Sequence, residues 1–173
     1  MGVPQPDRSM TAVGDVLYVA EGAQDAGRVL ALDAASGALR WQQDVNGLVA
    51  LVADDDGAYY VGASGLVRAW DAAGRERWTW SLSGLDVDPS ASVGARGAVA
   101  VAKDSVVVAF DVSSSEDSTH TAVPGLARLT GGELEWRQDF DAVESAVWQV
   151  DLVATDDALI LGKGGSVYAV AWA

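Results

Sequence analysis

The chain has 173 residues, half of them apolar, with 25 acidic residues against 11 basic ones, a net charge of −14 and no cysteine. It is long enough to bury a core and too apolar to stay disordered, while the missing cysteines exclude disulfides, thiolate chemistry and cysteine-ligated zinc or haem. The acidity excludes a nucleic-acid surface and an anionic-membrane surface, both of which need clustered cations. No apolar run reaches the length of a membrane span, and residues 1–12 lack the charged segment and apolar core of a signal peptide. Nine of the cations are Arg and only Lys103 and Lys163 are Lys. That scarcity favours a halophilic surface, in which molar salt screens self-repulsion to a few ångströms, over the composition of a GC-rich genome.

In chain order, residues 1–10, with Pro4 and Pro6, read as an irregular lead-in that could still add to a sheet edge. A strand follows the Gly14-Asp15 turn over residues 15–20, then a polar loop over 21–27. Residues 29–41 are a strand, a tight turn and a second strand. Asp33 folds its carboxylate onto the turn backbone and Gly37 tolerates positive φ. Beyond the turn, period-two alternation puts Leu39 and Trp41 on one face and Arg40 on the other. Four short strands follow over 48–53, 58–62, 66–71 and 75–81. The next set lies near 98–102, 105–111 and 133–139, with a Ser/Thr-rich projecting loop over 112–131. The last strands lie over 152–154, 158–162 and 166–172.

The unit at 31–41 recurs. Ala69, Asp71, Gly74 and Trp78 repeat it with one turn residue deleted. Ala109 and Asp111 begin it again, but Gly132 and Trp136 finish it after an insertion of roughly twenty residues by comparison with a normal repeat. Ala169 begins a fourth copy, and residues 152–162 match 51–62 in register. Four short antiparallel strands in about forty residues mark a propeller blade, whose apolar faces are buried by stacking on neighbours. The expectation is an all-β fold of about four blades in one domain, 11–45, 46–82, 89–140 with the inserted loop 112–131, and 146–173.

The pattern A-x-D-x-x-x-G-x-x-x-W, complete from Ala31 to Trp41, resembles the tryptophan-docking motif of quinoprotein, or PQQ-like, β-propeller repeats. The resemblance implies that Trp41, Trp78 and Trp136 pack between adjacent blades, and that a full ring holds seven or eight of them. It also implies an extracytoplasmic location. Family members include PQQ-dependent dehydrogenases and outer-membrane assembly scaffolds. The dehydrogenases use calcium, a catalytic Asp and, in many, an adjacent cysteine pair. That pair is absent, and Asn46 is the only Asn in the chain.

Several residues invite a chemical role. Asp54, Asp55 and Asp56, with Asp156 and Asp157, could offer oxygens to calcium, but their spacing matches no calcium loop and fits an acidic hairpin turn better. His120 titrates near neutrality yet has no partner at a recognisable spacing. Trp70, Trp80, Trp148 and Trp172 lie outside the docking position and could form an aromatic platform, with Trp148 and Trp172 the better candidates, although packing is the simpler role. Gly131-Gly132 and Gly164-Gly165 are turn glycines, since no strand-to-helix context makes either a phosphate cradle. No catalytic, cofactor-binding or metal residue is assigned. The expected function is a non-catalytic binding or scaffold module with a protein partner, including a homodimer that completes the ring. The alternative is a fragment of a dehydrogenase using PQQ with calcium.

Overall fold

The computed structural model describes residues 7–23, 26–102, 105–116, 119–141, 150–155, 158–163 and 166–171. Among these residues there is no α-helix, and every sheet is an antiparallel meander in sequence order. The chain divides into two compact units, Met1–Thr79 and Trp80–Ala173.

The first unit holds two sheets. Strands β1 (Asp7–Val13), β2 (Val16–Ala23), β3 (Ala26–Asp33) and β4 (Leu39–Val45) form one; β5 (Leu48–Asp54), β6 (Gly57–Gly62), β7 (Leu66–Asp71) and β8 (Glu76–Ser81) form the other, with β8 running just past the unit boundary. Side chains alternate between faces along a strand, so Val16, Tyr18 and Ala20 on β2 and Val29 and Ala31 on β3 turn inward together. They meet Leu51, Ala58, Tyr60 and Trp70 of the second sheet in one buried cluster.

In the second unit, β9 (Ser92–Ala102), β10 (Ser105–Glu116), β11 (Thr119–Thr130) and β12 (Glu133–Asp139) make a four-stranded sheet, and β13 (Val150–Ala154), β14 (Ala158–Lys163) and β15 (Ser166–Ala171) make a sheet of three described strands. Val107, Ala109 and Leu126 on one face of the four-stranded sheet pack with Leu159, Leu152 and Ala154 of the next. On its other face, Phe110 and Ala127 are covered by Leu82 and Leu85, from a short 3-10 turn at Leu82–Gly84 and the residue after it. Each sheet is thus a propeller-type blade, and each unit contains one buried face-to-face joint between two blades.

Strand pairing decides several expectations. Of the two readings of the lead-in, residues 7–10 take the second and add to a sheet edge as part of β1, paired from Asp7 opposite Gly22 to Val13 opposite Val16. Residues 112–131 are not a projecting loop: β10 and β11 run on as one long hairpin, with Ser113 opposite Ala122 and Ser115 opposite His120. Small hydroxyl side chains read as loop formers in isolation, yet Ser and Thr pair well across strands. Finally, Leu39 and Trp41 do not share a face. A register shift between Ala31 and Leu32 sets Trp41 opposite Ala31 but Leu39 opposite Leu32, so the extra residue of a β-bulge breaks the alternation. Leu39 is accordingly exposed while Trp41 packs on the core.

The same bulge recurs between Arg128 and Leu129, with Trp136 opposite Arg128 and Leu134 opposite Leu129. The structural counterparts of Ala31 and Asp33 in this blade are therefore Arg128 and Thr130, not Ala109 and Asp111, which lie one strand earlier on β10. The third copy of the motif is contiguous, and the extra length lies in the β10–β11 hairpin.

Candidate functional site

The joint in the first unit is built around Trp41. Its ring lies 5.8 Å from Tyr18 and 6.2 Å from Trp70, centroid to centroid, so it bridges the two sheets. Its indole Nε1–H donates to the Ala72 carbonyl at 3.0 Å, and Gln43 Nε2 donates to the Gly74 carbonyl at 2.8 Å. Gly74 has φ +80°, and a Cβ placed there would lie 2.6 Å from Trp41 Cγ. Only glycine fits, both for the backbone and for the ring above it. Trp136 packs at the matching joint of the second unit, against the cluster of Val107, Ala109, Leu126 and Leu159. Trp78 lies 6.0 Å from Tyr59 within its own sheet.

The Asp of the motif organises its turn. Asp33 Oδ1 accepts from the Ser36 backbone at 2.9 Å and the Ser36 hydroxyl at 2.7 Å, while its Oδ2 takes Arg40 Nη2 at 2.7 Å. Arg40 also reaches Asp15 Oδ2 at 2.6 Å, clamping the turn to the start of β2. The Arg40 guanidinium, and then Ser36, hold the Asp33 carboxyl well below the usual carboxylate range; Arg40 likewise lowers Asp15. Asp71 repeats the device, accepting from the Ala73 and Arg75 backbones at 2.9 Å each, and the Arg75 N–H is the first cause of its lowered pKa. Asp111, expected in the same role, is instead buried on β10 and paired to Arg96 and Ser113.

The candidates fall into place as follows. Asp54 serves its own hairpin, taking the Asp56 and Gly57 N–H groups on Oδ1 and the Tyr59 hydroxyl on Oδ2 at 3.0 Å. Burial nevertheless raises its pKa. Asp55 and Asp56 stay exposed, and Asp56 lies 3.6 Å from Arg77. Asp156, Asp157, Gly164, Gly165, Trp148 and Trp172 lie outside the described residues. Among the described residues, no group of three or more His, Cys, Asp or Glu is arranged to hold a metal. His120 is on β11, opposite Ser115 near the hairpin end. Trp70 is fully buried between Trp41 and Tyr60, and Trp80 packs on the cluster of Leu82, Leu85 and Phe110. Gly131 and Gly132 have φ +60° and +86°, as a tight turn requires.

Sequence reasoning missed a small pocket in the first unit. It measures about 110 Å³ and is lined by Asp44, Val45, Asn46, Tyr60, Ser64, Leu66 and Arg68. Its wall is fixed by Tyr60, whose hydroxyl bonds to the Asn46 and Gly47 carbonyls where β4 turns into β5, and whose pKa burial pushes up to about 12. A signal was present: the residue just before the motif Ala is Leu30 in the first blade but Arg68 in the second.

The family model described as outer membrane protein assembly factor BamB matches residues 3–172. No curated protein matches the chain. Among solved structures, the computationally designed Ika8 protein is 16% identical, with 94% of this chain and 70% of that one covered and a TM-score of 0.39. Hsv2 of Kluyvelomyces marxianus is 7% identical over 91% of this chain and 60% of that one, at 0.41. The WD40 domain of Toxoplasma gondii coronin is 8% identical over 94% and 69%, at 0.37. With a docking motif whose Trp and Gly meet across a blade joint, and a family match over nearly its full length, the chain belongs to the PQQ-like β-propeller family of outer membrane protein assembly factor BamB.

Proposed function

We propose that the chain is a non-catalytic binding or scaffold module that works by face-to-face stacking of blades, with a protein partner. The observation that supports this is an aliphatic blade face on each unit that exposes large apolar side chains. On the first sheet, Met10, Val19 and Leu30 form one cross-strand row, and Leu17, Leu32 and Leu39 another. Met10 is 68% exposed and Leu39 56%. On the three-stranded sheet, Val153 pairs with Ile160 and Ile160 with Ala169, and the first two are 57% and 37% exposed. Contiguous apolar patches of this kind mark association sites.

The two faces differ in hand. The exposed side of the last sheet corresponds to the side that carries Tyr18 and Ala31 in the first, and the exposed side of the first sheet corresponds to the side that carries Leu51, Ala58 and Trp70 in the second. Between copies of the chain they reproduce the kind of joint already buried inside each unit. Such a contact is heterologous, and it closes only if its rotation allows; two of them joining two chains make the expected homodimer. Among the described residues no helix is long and apolar enough to cross a membrane, and the family match supports an extracytoplasmic site of action.

Light scattering at several protein concentrations tests the reading. A homodimer is expected, and Leu39→Glu with Ile160→Glu should dissociate it. A monodisperse species at the monomer mass of 17.9 kDa would end it. PQQ with calcium should leave the melting temperature and absorbance unchanged; a tight, saturable shift would instead support a dehydrogenase fragment.

A further inference from the structure

We propose that the pocket beside Arg68 binds a small zwitterion of the α-amino-acid type, its carboxylate on Arg68 and its ammonium on Asp44. The position itself is anomalous within the repeat. One residue before the motif position, the four blades carry Leu30, Arg68, Ala127 and Tyr168, whose cross-strand partners are Val19, Tyr60, Val108 and Leu161. In the other three blades both residues in register are apolar or aromatic. Only the second blade puts a charge there, on a side chain that is 34% exposed, and the part of it that is buried needs a partner.

Within the unit the answer is incomplete. Arg68 Nε is sealed from solvent with no hydrogen-bond partner, and the carboxylate of Glu76 stays 3.8 Å away from it. Native proteins leave few such groups unpaired. The same pocket is lined by Asp44, which is exposed and makes no ion pair among the described residues. Asn46 and Ser64 add neutral polar groups to the lining. One cation, one anion and neutral polar atoms around a single cavity match a ligand with both charges, since an anion alone would face Asp44 and a cation alone would face Arg68.

Size narrows the class. The cavity measures about 110 Å³, room for a molecule of a few non-hydrogen atoms. That accommodates the carboxylate, α-carbon and amine of glycine, and a larger side chain would have to lie outside. Charge-assisted hydrogen bonds at both ends would then give selectivity over either half alone. This inference does not depend on the partner proposed for the open blade faces.

The test titrates the full chain with glycine, acetate and methylammonium at low ionic strength, by calorimetry and by amide NMR shifts. Glycine should bind saturably, moving the amides of Asn46, Ser64 and Arg68, while acetate and methylammonium bind at least about tenfold more weakly, a difference of about 1.4 kcal/mol. Asp44→Asn, at an exposed position, should lose about the same factor, as should Arg68→Gln, and Arg68→Lys should recover part of it. Acetate binding as tightly as glycine would make the pocket a simple anion site and overturn the proposal. So would the absence of any saturable glycine response in the folded wild-type chain.

Discussion

Replacing Gly74 by Ala, with and without Trp41, isolates the blade joint. In the wild-type background two costs add. Placing Ala at φ +80° costs about 1–2 kcal/mol in backbone strain. A Cβ at 2.6 Å from Trp41 Cγ and 2.8 Å from Cδ2 also forces the ring to move, an overpacking cost of about 1–3 kcal/mol. Gly74→Ala alone should therefore destabilise by about 2–5 kcal/mol. Trp41→Ala removes a partly buried indole and the bond to the Ala72 carbonyl, which together are worth about 3–4 kcal/mol. Once the ring is gone the collision is gone, so Gly74→Ala in the Trp41→Ala chain should cost only the strain. The coupling read from urea unfolding of the four proteins by circular dichroism should be about 1–3 kcal/mol. Equal cost of Gly74→Ala in both backgrounds would show that the Trp41 ring does not rest on Gly74, and the joint described above would be wrong.

Four further outcomes are expected. Tyr60→Phe should lower stability by about 0.5–1.5 kcal/mol, because it removes the hydroxyl donor from the Asn46 and Gly47 carbonyls while Gly47 keeps the Ala63 N–H; an unchanged urea midpoint would contradict that. At alkaline pH, Tyr59 and Tyr60 stay protonated to about 12 in the folded chain, whereas unfolded tyrosine ionises near 10, so their contribution is complete below about pH 10 and is lost as pH rises toward 12. Tyr59→Phe should flatten that decline in a stability-versus-pH series. At acid pH the sign reverses: Asp33 and Asp15 have lowered pKa values, so their contribution is present above the ordinary carboxylate range and disappears as pH falls below it, and Arg40→Gln should flatten the acid limb. Thermal stability should climb steeply from low to molar KCl if the acidic surface is a halophilic one, as screening relieves repulsion among 25 carboxylates opposed by 11 cations; a flat salt series would return the acidity to composition alone.

The blades were legible because their signals are local. The motif from Ala31 to Trp41 fixes a turn by Asp33 and Gly37, and both residues do in the structure what their chemistry suggests. What was not legible depends on pairing. β1 carries no strong period of its own and becomes a strand by lying against β2. Ala109 and Asp111 imitate the motif, yet pairing places Arg128 and Thr130 in its register, and Arg128 reads as nothing like Ala31. The bulge after Ala31 is equally invisible to period-two counting, which places Leu39 and Trp41 on one face where the pairing separates them. The Arg68 pocket escaped because a lone Arg in a strand is ordinary; only the comparison of one blade with the next makes it stand out.

The joint in the first unit has its ring on one sheet and its receiving glycine turn on the next, with Trp41 reaching Gly74. A blade whose Trp and Gly both serve in this way holds a plug on one side and a socket on the other. Copying such a blade in tandem creates a new plug and a new socket in the same event, already matched to their neighbours. Blade number can then change by whole steps with no fresh interface to invent, and the sequences between the joints are free to drift, as Arg68 has, toward separate uses.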